Sequence, residues 1–261
     1  MSTDKTILLA DELYHAYATH TAISQLISQR YPDFTVEEAY QVQKYNADRA
    51  VRLGNPVIGY KIGLTARELM RSMQVEGPDY GRLYPGMEVP EHGVAQFGRM
   101  FEPKVEGEIA FVLGADLPEQ AAAGDVLAAT DHIRASFEFP ETRLSDWRNK
   151  IADTVSDNSS AGHFMLSSAK FSPGSRDLAR EHLTLYKNGE VLAQGSADVI
   201  LGTPLNSVAW LSNKLFQQYG QGLKAGDIIL SGALCGAHLA APGDVFQAEF
   251  STLGKLSVTF R

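Results

Sequence analysis

Helix-like and strand-like residues are sorted along this chain rather than interleaved, and that order constrains the fold more than any single motif. In the first fifty residues, Ile7, Leu8, Leu13, Ala16, Ala22, Leu26 and Ile27 recur at helical spacing. Thr35 and Glu38 form the T-x-x-E capping box of a further helix, with Pro32 just outside it. That helix runs through Tyr40, Val42, Tyr45 and Ala50 toward a stop at Gly54-Asn55-Pro56. Past Pro56 the character changes. Val57 to Gly63 is a short strand broken by glycines, and Val105 to Gly114 is the clearest strand of all. His182 to Gln194 reads as a hairpin turning on Asn188-Gly189. Ile228 to Leu230, and Val245 to Phe260 interrupted near Leu253-Gly254, are closing strands, while Ser167 to Arg180 reads as a polar loop. Only Pro204 to Tyr219, with Pro near its start and Gly220 near its end, returns to a helical pattern. Helices first and strands afterwards, with few alternating βα units, predict an α+β fold rather than a doubly wound sheet. The expected division is an N-terminal helical portion over residues 1–55 and a catalytic domain over residues 56–261.

The 261 residues suit one large domain, or a catalytic domain with a small appendage. A hydrophobic share of 44% and a charged share of 21% are ordinary for a soluble globular protein. The formal net charge of -8 gives no general attraction to a nucleic-acid backbone or an anionic membrane, so neither is an expected partner. An anionic ligand would need local positive charge, from a bound metal or a pointed lysine. The single cysteine, Cys235, cannot form an intrachain disulfide and fits a reducing compartment. Met1 to Lys5 leads into a segment broken by Asp11, Glu12 and His15, which is neither a signal peptide nor an anchor. No apolar run approaches the roughly 20 residues that span a bilayer. A soluble cytoplasmic protein is the expectation.

Chemistry first shows in Pro103-Lys104-Val105-Glu106-Gly107-Glu108-Ile109-Ala110-Phe111. On a strand, side chains two apart share a face, so Glu106 and Glu108 point the same way. Ile109, Phe111 and Leu113 mark that strand as buried. Two carboxylates side by side near a core repel each other and lose solvation, and a cation relieves both costs. Oxygen ligands without His or Cys favour Mg²⁺ or Mn²⁺ over Zn²⁺. The competing reading is an edge strand whose glutamates face water, and the pair alone does not decide between them. Glu138, in the apolar run Ala135 to Phe139, is the natural third carboxylate, although a lone Glu in such a run is more often paired with an Arg, and Arg143 is nearby. Glu141 follows past Pro140 and could sit behind the ligands. His132, His163 and His238 lack ligand spacing and read as ordinary histidines, with His163 near the pocket. Cys235 has no marked His partner, and Trp147 and Trp210 read as packing residues.

Six blocks occur in order: Lys61-Ile62-Gly63-Leu64-Thr65, Pro78-Asp79-Tyr80-Gly81, the Glu106 block above, Asp153 to Ser160, Gly202 to Leu211, and Gly226 to Ala233. Together they resemble the 2-hydroxypentadienoate (2-oxopent-4-enoate) hydratases and the related 4-oxalocrotonate decarboxylases of the fumarylacetoacetate hydrolase superfamily. The resemblance covers nearly the whole chain. It implies a mixed β-roll core with an N-terminal helical portion, Mg²⁺ or Mn²⁺ at a three-carboxylate site, and a role in meta-cleavage breakdown of aromatic compounds. It also implies a homo-oligomer able to associate with a partner enzyme of the pathway. By the same resemblance Glu106, Glu108 and Glu138 are the metal ligands, and Lys61 and Asp79 the catalytic pair. Ser160 and Ser231 would lie around the substrate's carboxylate. Without the resemblance, Lys61 would read as a solvated edge charge and Asp79 as a turn residue. Beside a metal, Lys61 is expected to have a lowered pKa and to oppose the substrate carboxylate or shuttle a proton.

Two places depart from the pattern: Phe139-Pro140-Glu141 stands where an aliphatic residue and then Asp are usual, and Thr203 stands where many relatives carry His. The expected activity is a metal-dependent hydratase, a hydro-lyase that adds water to a 2-hydroxypenta-2,4-dienoate-type acid to give a 4-hydroxy-2-oxo acid. Ser231-Gly232-Ala233 and Leu144-Ser145-Asp146-Trp147 look more like hydratases than decarboxylases. The alternatives are a 4-oxalocrotonate-type decarboxylase, an acylpyruvate carbon–carbon hydrolase, and a non-catalytic oxo-acid binding protein.

Overall fold

Local signals place the helices. A computed structural model describes residues 3–145, 147 and 149–261; Asp146 of the segment noted above lies outside the described residues. The chain opens with α1 (Thr3–Thr19), α2 (Ile27–Arg30) and α3 (Val36–Arg52). The capping box at the start of α3 is formed: Glu38 N–H donates to Thr35 Oγ1 at 3.2 Å, and Thr35 N–H donates to Glu38 Oε2 at 3.0 Å.

Strands and short helices follow: β1 (Gly59–Gly63), α4 (Arg67–Met73), β2 (Asp79–Leu83), β3 (Val94–Ala95), β4 (Lys104–Leu113), α5 (Ala123–Ala129), β5 (Thr130–Phe139), α6 (Ile151–Ser156) and β6 (His163–Leu166). Ser167 to Arg180 is a loop with two short 3₁₀ turns. The hairpin β7 (His182–Lys187) and β8 (Glu190–Ser196) turns on Asn188 and Gly189, both at positive φ. The chain ends with α7 (Pro204–Tyr219), β9 (Ile228–Ala233), β10 (His238–Leu239), β11 (Val245–Phe250) and β12 (Gly254–Phe260). Gly220 caps α7 in the left-handed conformation that glycine adopts most readily.

The strands form two sheets. The larger is ordered β2-β1-β9-β4-β5-β6, with β10 added along β4; the smaller is β3-β12-β11-β7-β8. In the larger sheet β1 and β9 run parallel and the other pairings are antiparallel. One face of it closes the main core. There Phe139 meets Phe260 edge-on at 5.5 Å between ring centres, and Tyr80 of β2 stacks on Tyr40 of α3 at 4.9 Å. Gly107 faces the smaller sheet so closely that a Cβ would stand 2.5 Å from Leu183 Cδ2.

The opposite face is divided. Leu83, Ala110, Phe164, Leu166 and Leu230 form a separate buried apolar cluster there. The pairings Lys61 with Leu230, Glu106 with Glu138, and Glu138 with Phe164 put ionisable side chains on that same face. The curled sheet thus carries hydrocarbon at one end of this face and charge at the other. No helix among the described residues is long and apolar enough to cross a membrane.

Candidate active site

The period of a strand sets out the first two acids, and pairing supplies the third. Glu106 and Glu108 alternate with buried Val105, Gly107 and Ile109 along β4, and Glu106 stands opposite Glu138 on β5. One carboxylate oxygen from each of the three lies within 4.8 Å of the others, so the group could hold a metal ion. Glu108 and Glu138 are fully buried and Glu106 is partly exposed.

Glu108 is held by a bulge. Between Glu108 and Ala110 the register on β9 runs from Ala233 to Leu230, three steps against two. The bulge contains Gly232 at φ 111°, whose N–H donates to Glu108 Oε2 at 2.8 Å. A Cβ on Gly232 would stand 2.4 Å from Thr65 Oγ1, so only glycine fits. Ser231-Gly232-Ala233 stands out in the sequence, yet this backbone donor does not; its one signal is a glycine inside a strand pattern.

Lys61 projects from β1 into the acids. Its ammonium is 3.3 Å from Glu138 Oε1, and it is buried rather than a solvated edge charge. Asp79 is the first residue of β2, opposite Gly63, and not a turn residue. The Pro-Asp-Tyr-Gly sequence is turn-like, yet pairing with β1 makes it a strand. Gly63 makes room for the pair: a Cβ there would lie 2.2 Å from Asp79 Oδ1 and 3.2 Å from Lys61 Nζ.

Burial and mutual repulsion set the protonation of the site. Burial raises the carboxyls of Glu106 and Asp79, and raises Glu108 well above the usual range with help from Glu138 and Glu106. Glu138 is pushed up to about 7, chiefly by burial, against the opposing pull of Lys61. Burial alone would lower Lys61, but Glu138, Asp79, Glu106 and Glu108 outweigh it, and in the metal-free protein its pKa is raised.

The acids also lack donors. Glu108 Oε1, Glu138 Oε2 and Asp79 Oδ1 are buried with no hydrogen-bond partner, and Glu138 Oε1 has only the Lys61 ammonium at 3.3 Å. Buried acceptors without donors are costly, and those of Glu108 and Glu138 converge. This donor set of oxygens alone fits a hard divalent cation. Ser160 Oγ and Ser231 Oγ are likewise buried and unpartnered. The Ser231 carbonyl accepts from Ser207 Oγ at 2.8 Å, and the Ser160 carbonyl accepts from Glu141 N–H at 2.9 Å.

Other candidates lie elsewhere. Arg143 does not pair with Glu138. Its Nε donates to Asp157 Oδ1 at 2.6 Å and its Nη1 to Ala161 O at 2.8 Å. Glu141 turns away from the three acids to accept from Phe101 N–H at 3.0 Å and to pair with His163 Nδ1. That pair lines a cavity of about 290 Å³ together with Tyr17, His20 and Arg99. His132 contacts Asp131, Trp210 packs on the core, and Cys235 is a free thiol that burial pushes up to about 12. Lys104 Nζ lies 3.8 Å from the centre of the Trp147 ring.

Known proteins share this architecture. Residues 86–261 match the family model for the C-terminal part of fumarylacetoacetate (FAA) hydrolase. The chain is 38% identical over 252 residues to 2-keto-4-pentenoate hydratase of Paraburkholderia xenovorans, covering 96% of this chain and 93% of that one. It is 37% identical to 2-hydroxyhexa-2,4-dienoate hydratase of Comamonas testosteroni, covering 95% and 94%. Among solved structures, 4-oxalocrotonate decarboxylase from Pseudomonas putida, complexed with magnesium and adipate, superposes with a TM-score of 0.95 at 32% identity. That match covers 100% of this chain and 99% of the other. With the family model matched over most of its length and such relatives along nearly all of it, the chain belongs to the fumarylacetoacetate hydrolase family.

Proposed function

We propose that this protein is a divalent-metal-dependent hydro-lyase that hydrates a 2-hydroxypenta-2,4-dienoate-type acid to a 4-hydroxy-2-oxo acid, in the breakdown of aromatic ring-cleavage products. The observation that carries the reading is the convergence of the Glu106, Glu108 and Glu138 carboxylates, two of them with unpartnered oxygens, with buried Lys61 and buried Asp79 on one sheet face. The names of the relatives favour hydration over decarboxylation. Decarboxylation of 4-oxalocrotonate is the second reading, favoured by the superposition on that enzyme.

In this reading Glu106, Glu108 and Glu138 hold Mg²⁺ or Mn²⁺. The bound ion supplies Lewis-acid charge to the carboxylate and keto oxygens of a 2-oxo acid. The protein's own groups do the rest. A 2-hydroxydienoate must first give up its enol proton and gain one on carbon, becoming a 2-oxo-3-enoate, before water can add to the conjugated alkene. Asp79 suits the carrying of that proton, because burial lets its carboxyl accept one more readily than an exposed aspartate. Lys61 places positive charge beside the acids, where it can oppose the substrate carboxylate or shuttle a proton. Ser160 and Ser231 offer their unpartnered hydroxyls to the same carboxylate. The apolar cluster of Leu83, Phe164, Leu166 and Leu230 beyond the acids keeps that end of the face dry. We extend the reading to a cytoplasmic homo-oligomer able to associate with a partner enzyme of its pathway. The lone free cysteine fits a reducing compartment.

The test is an ultraviolet assay of chelator-treated protein with fresh 2-hydroxypenta-2,4-dienoate and with 4-oxalocrotonate, with and without Mg²⁺ or Mn²⁺, products being identified by mass. Metal-dependent gain of water by the first substrate is expected. Release of CO₂ from the second, without hydration of the first, would replace the hydratase by the decarboxylase.

A further inference from the structure

The strand that carries Asp79 lies at the edge of its sheet, and side chains occupy the place of the next strand. Arg82 N–H donates to Asn158 Oδ1 at 2.8 Å, while Asn158 Nδ2 donates to Arg82 O at 2.9 Å. This is the reciprocal pair that a neighbouring strand would make. Two residues earlier, the Tyr80 carbonyl accepts from Ser159 Oγ at 2.6 Å and from Gln43 Nε2 at 2.9 Å. Gln43 also donates to Val155 O at 3.0 Å and accepts from the Arg82 guanidinium.

The chain takes an unusual path to present these groups. Asn158, Ser159 and Ser160 stand at φ 54°, 52° and 56°, three successive non-glycine residues in the left-handed region. Such backbone persists only where its surroundings impose it. The turn presses on β2 so closely that a Cβ on Gly81 would lie 2.1 Å from the Asn158 carbonyl oxygen.

We propose that Asn158 and Gln43 are positioning residues that stand in for a missing strand along β2 and thereby fix Asp79 against Lys61. The proposal rests on reading Asp79 as the group that carries the proton. Asp79 is otherwise held by the pairing of β2 with β1, and Ser159 and the Gly63 N–H also favour its carboxylate. A five-residue edge strand fastened on one side can slide or lift, and the two amides remove that freedom from the other side. Gln43 belongs to α3, outside the residues 86–261 shared with the family model, so the N-terminal helices take part in the site.

The experiment uses the Mn²⁺-loaded full chain carrying Asn158→Ala, Asn158→Asp or Gln43→Ala, each also in an Asp79→Asn background. Asn158→Asp keeps the acceptor for Arg82 N–H and loses the donor to Arg82 O. Gln43→Ala, on a separate element, serves as the probe should Asn158→Ala fail to fold. A displacement of about 1 Å at the chemistry predicts a kcat lower by on the order of 10²-fold, with KM and Mn²⁺ affinity changed by less than about threefold. In the Asp79→Asn background the same substitutions should cost nothing further. Crystals of Asn158→Ala, superposed on β4 and β5, should show Asp79 displaced. An equal loss with and without the Asp79 carboxylate, a parallel fall in Mn²⁺ affinity, or an unmoved Asp79 would each overturn the proposal. The crystallographic result holds whatever the substrate. A wild type that hydrates no hydroxydienoate refutes the functional reading, and the position of Asp79 still decides this one.

Discussion

At the scale of single residues, Glu138 has the clearest consequence. Its carboxyl ionises near pH 7 in the metal-free fold, against an ordinary value of 4.5, because burial opposes its charge. A folded value above the unfolded one means that the neutral acid stabilises the fold. That contribution is full below about pH 4.5 and is lost as pH rises through about 7. The metal-free protein should therefore melt at a lower temperature at pH 8 than at pH 6. A divalent ion needs the ionised form, so metal affinity should rise over the same interval with release of a proton. Calorimetry of Mg²⁺ binding in two buffers of different ionisation enthalpy measures that proton directly. Release that does not vary between pH 6 and pH 8 would contradict the assignment. The acids on β4 were legible in the sequence because a period of two fixes their face whatever their partners. Asp79 was not, since Pro78-Asp79-Tyr80-Gly81 has the composition of a turn, and only the distant Gly63 makes it a strand.

Among the elements, those with their own punctuation were readable. The capping box of α3, the Pro and Gly that bracket α7 and the Asn188-Gly189 hairpin are all local signals, and each element forms where its signal lies. The five-residue β2 and four-residue β6 carry no such marks; they exist because neighbouring strands accept them. The turn over residues 158–160 was equally hidden. Its left-handed residues are not glycines, and they are held in place by contacts from β2 and from the Arg143–Asp157 pair beneath. Arg143 and Asp157 are both buried, so Arg143→Ala would leave a carboxylate without its counter-charge. Chemical denaturation should show a loss of about 3–5 kcal/mol, the cost typical of breaking a buried pair from one side. A loss within the range of a surface pair, below about 1 kcal/mol, would mean that the turn stands without it.

Across the whole molecule, the α+β class followed from the order of helical and strand periodicities, while the curl of the sheet came only from the resemblance. What no local pattern could show is that β1 and β9, far apart in the chain, pair. Lys61 on β1 is the register partner of Leu230 on β9, far along the chain, and β9 in turn lies against β4, which bears Glu106 and Glu108. That parallel pairing has a consequence for biosynthesis. Until β9 has left the ribosome, β1 and β4 have nothing between them, and the lysine has no fixed place beside the acids. A nascent chain arrested shortly before Ile228 should remain open to protease whether or not Mn²⁺ is present, whereas one extended past Phe260 should gain protection from the ion. Translation must run past β9 before the protein can claim its metal.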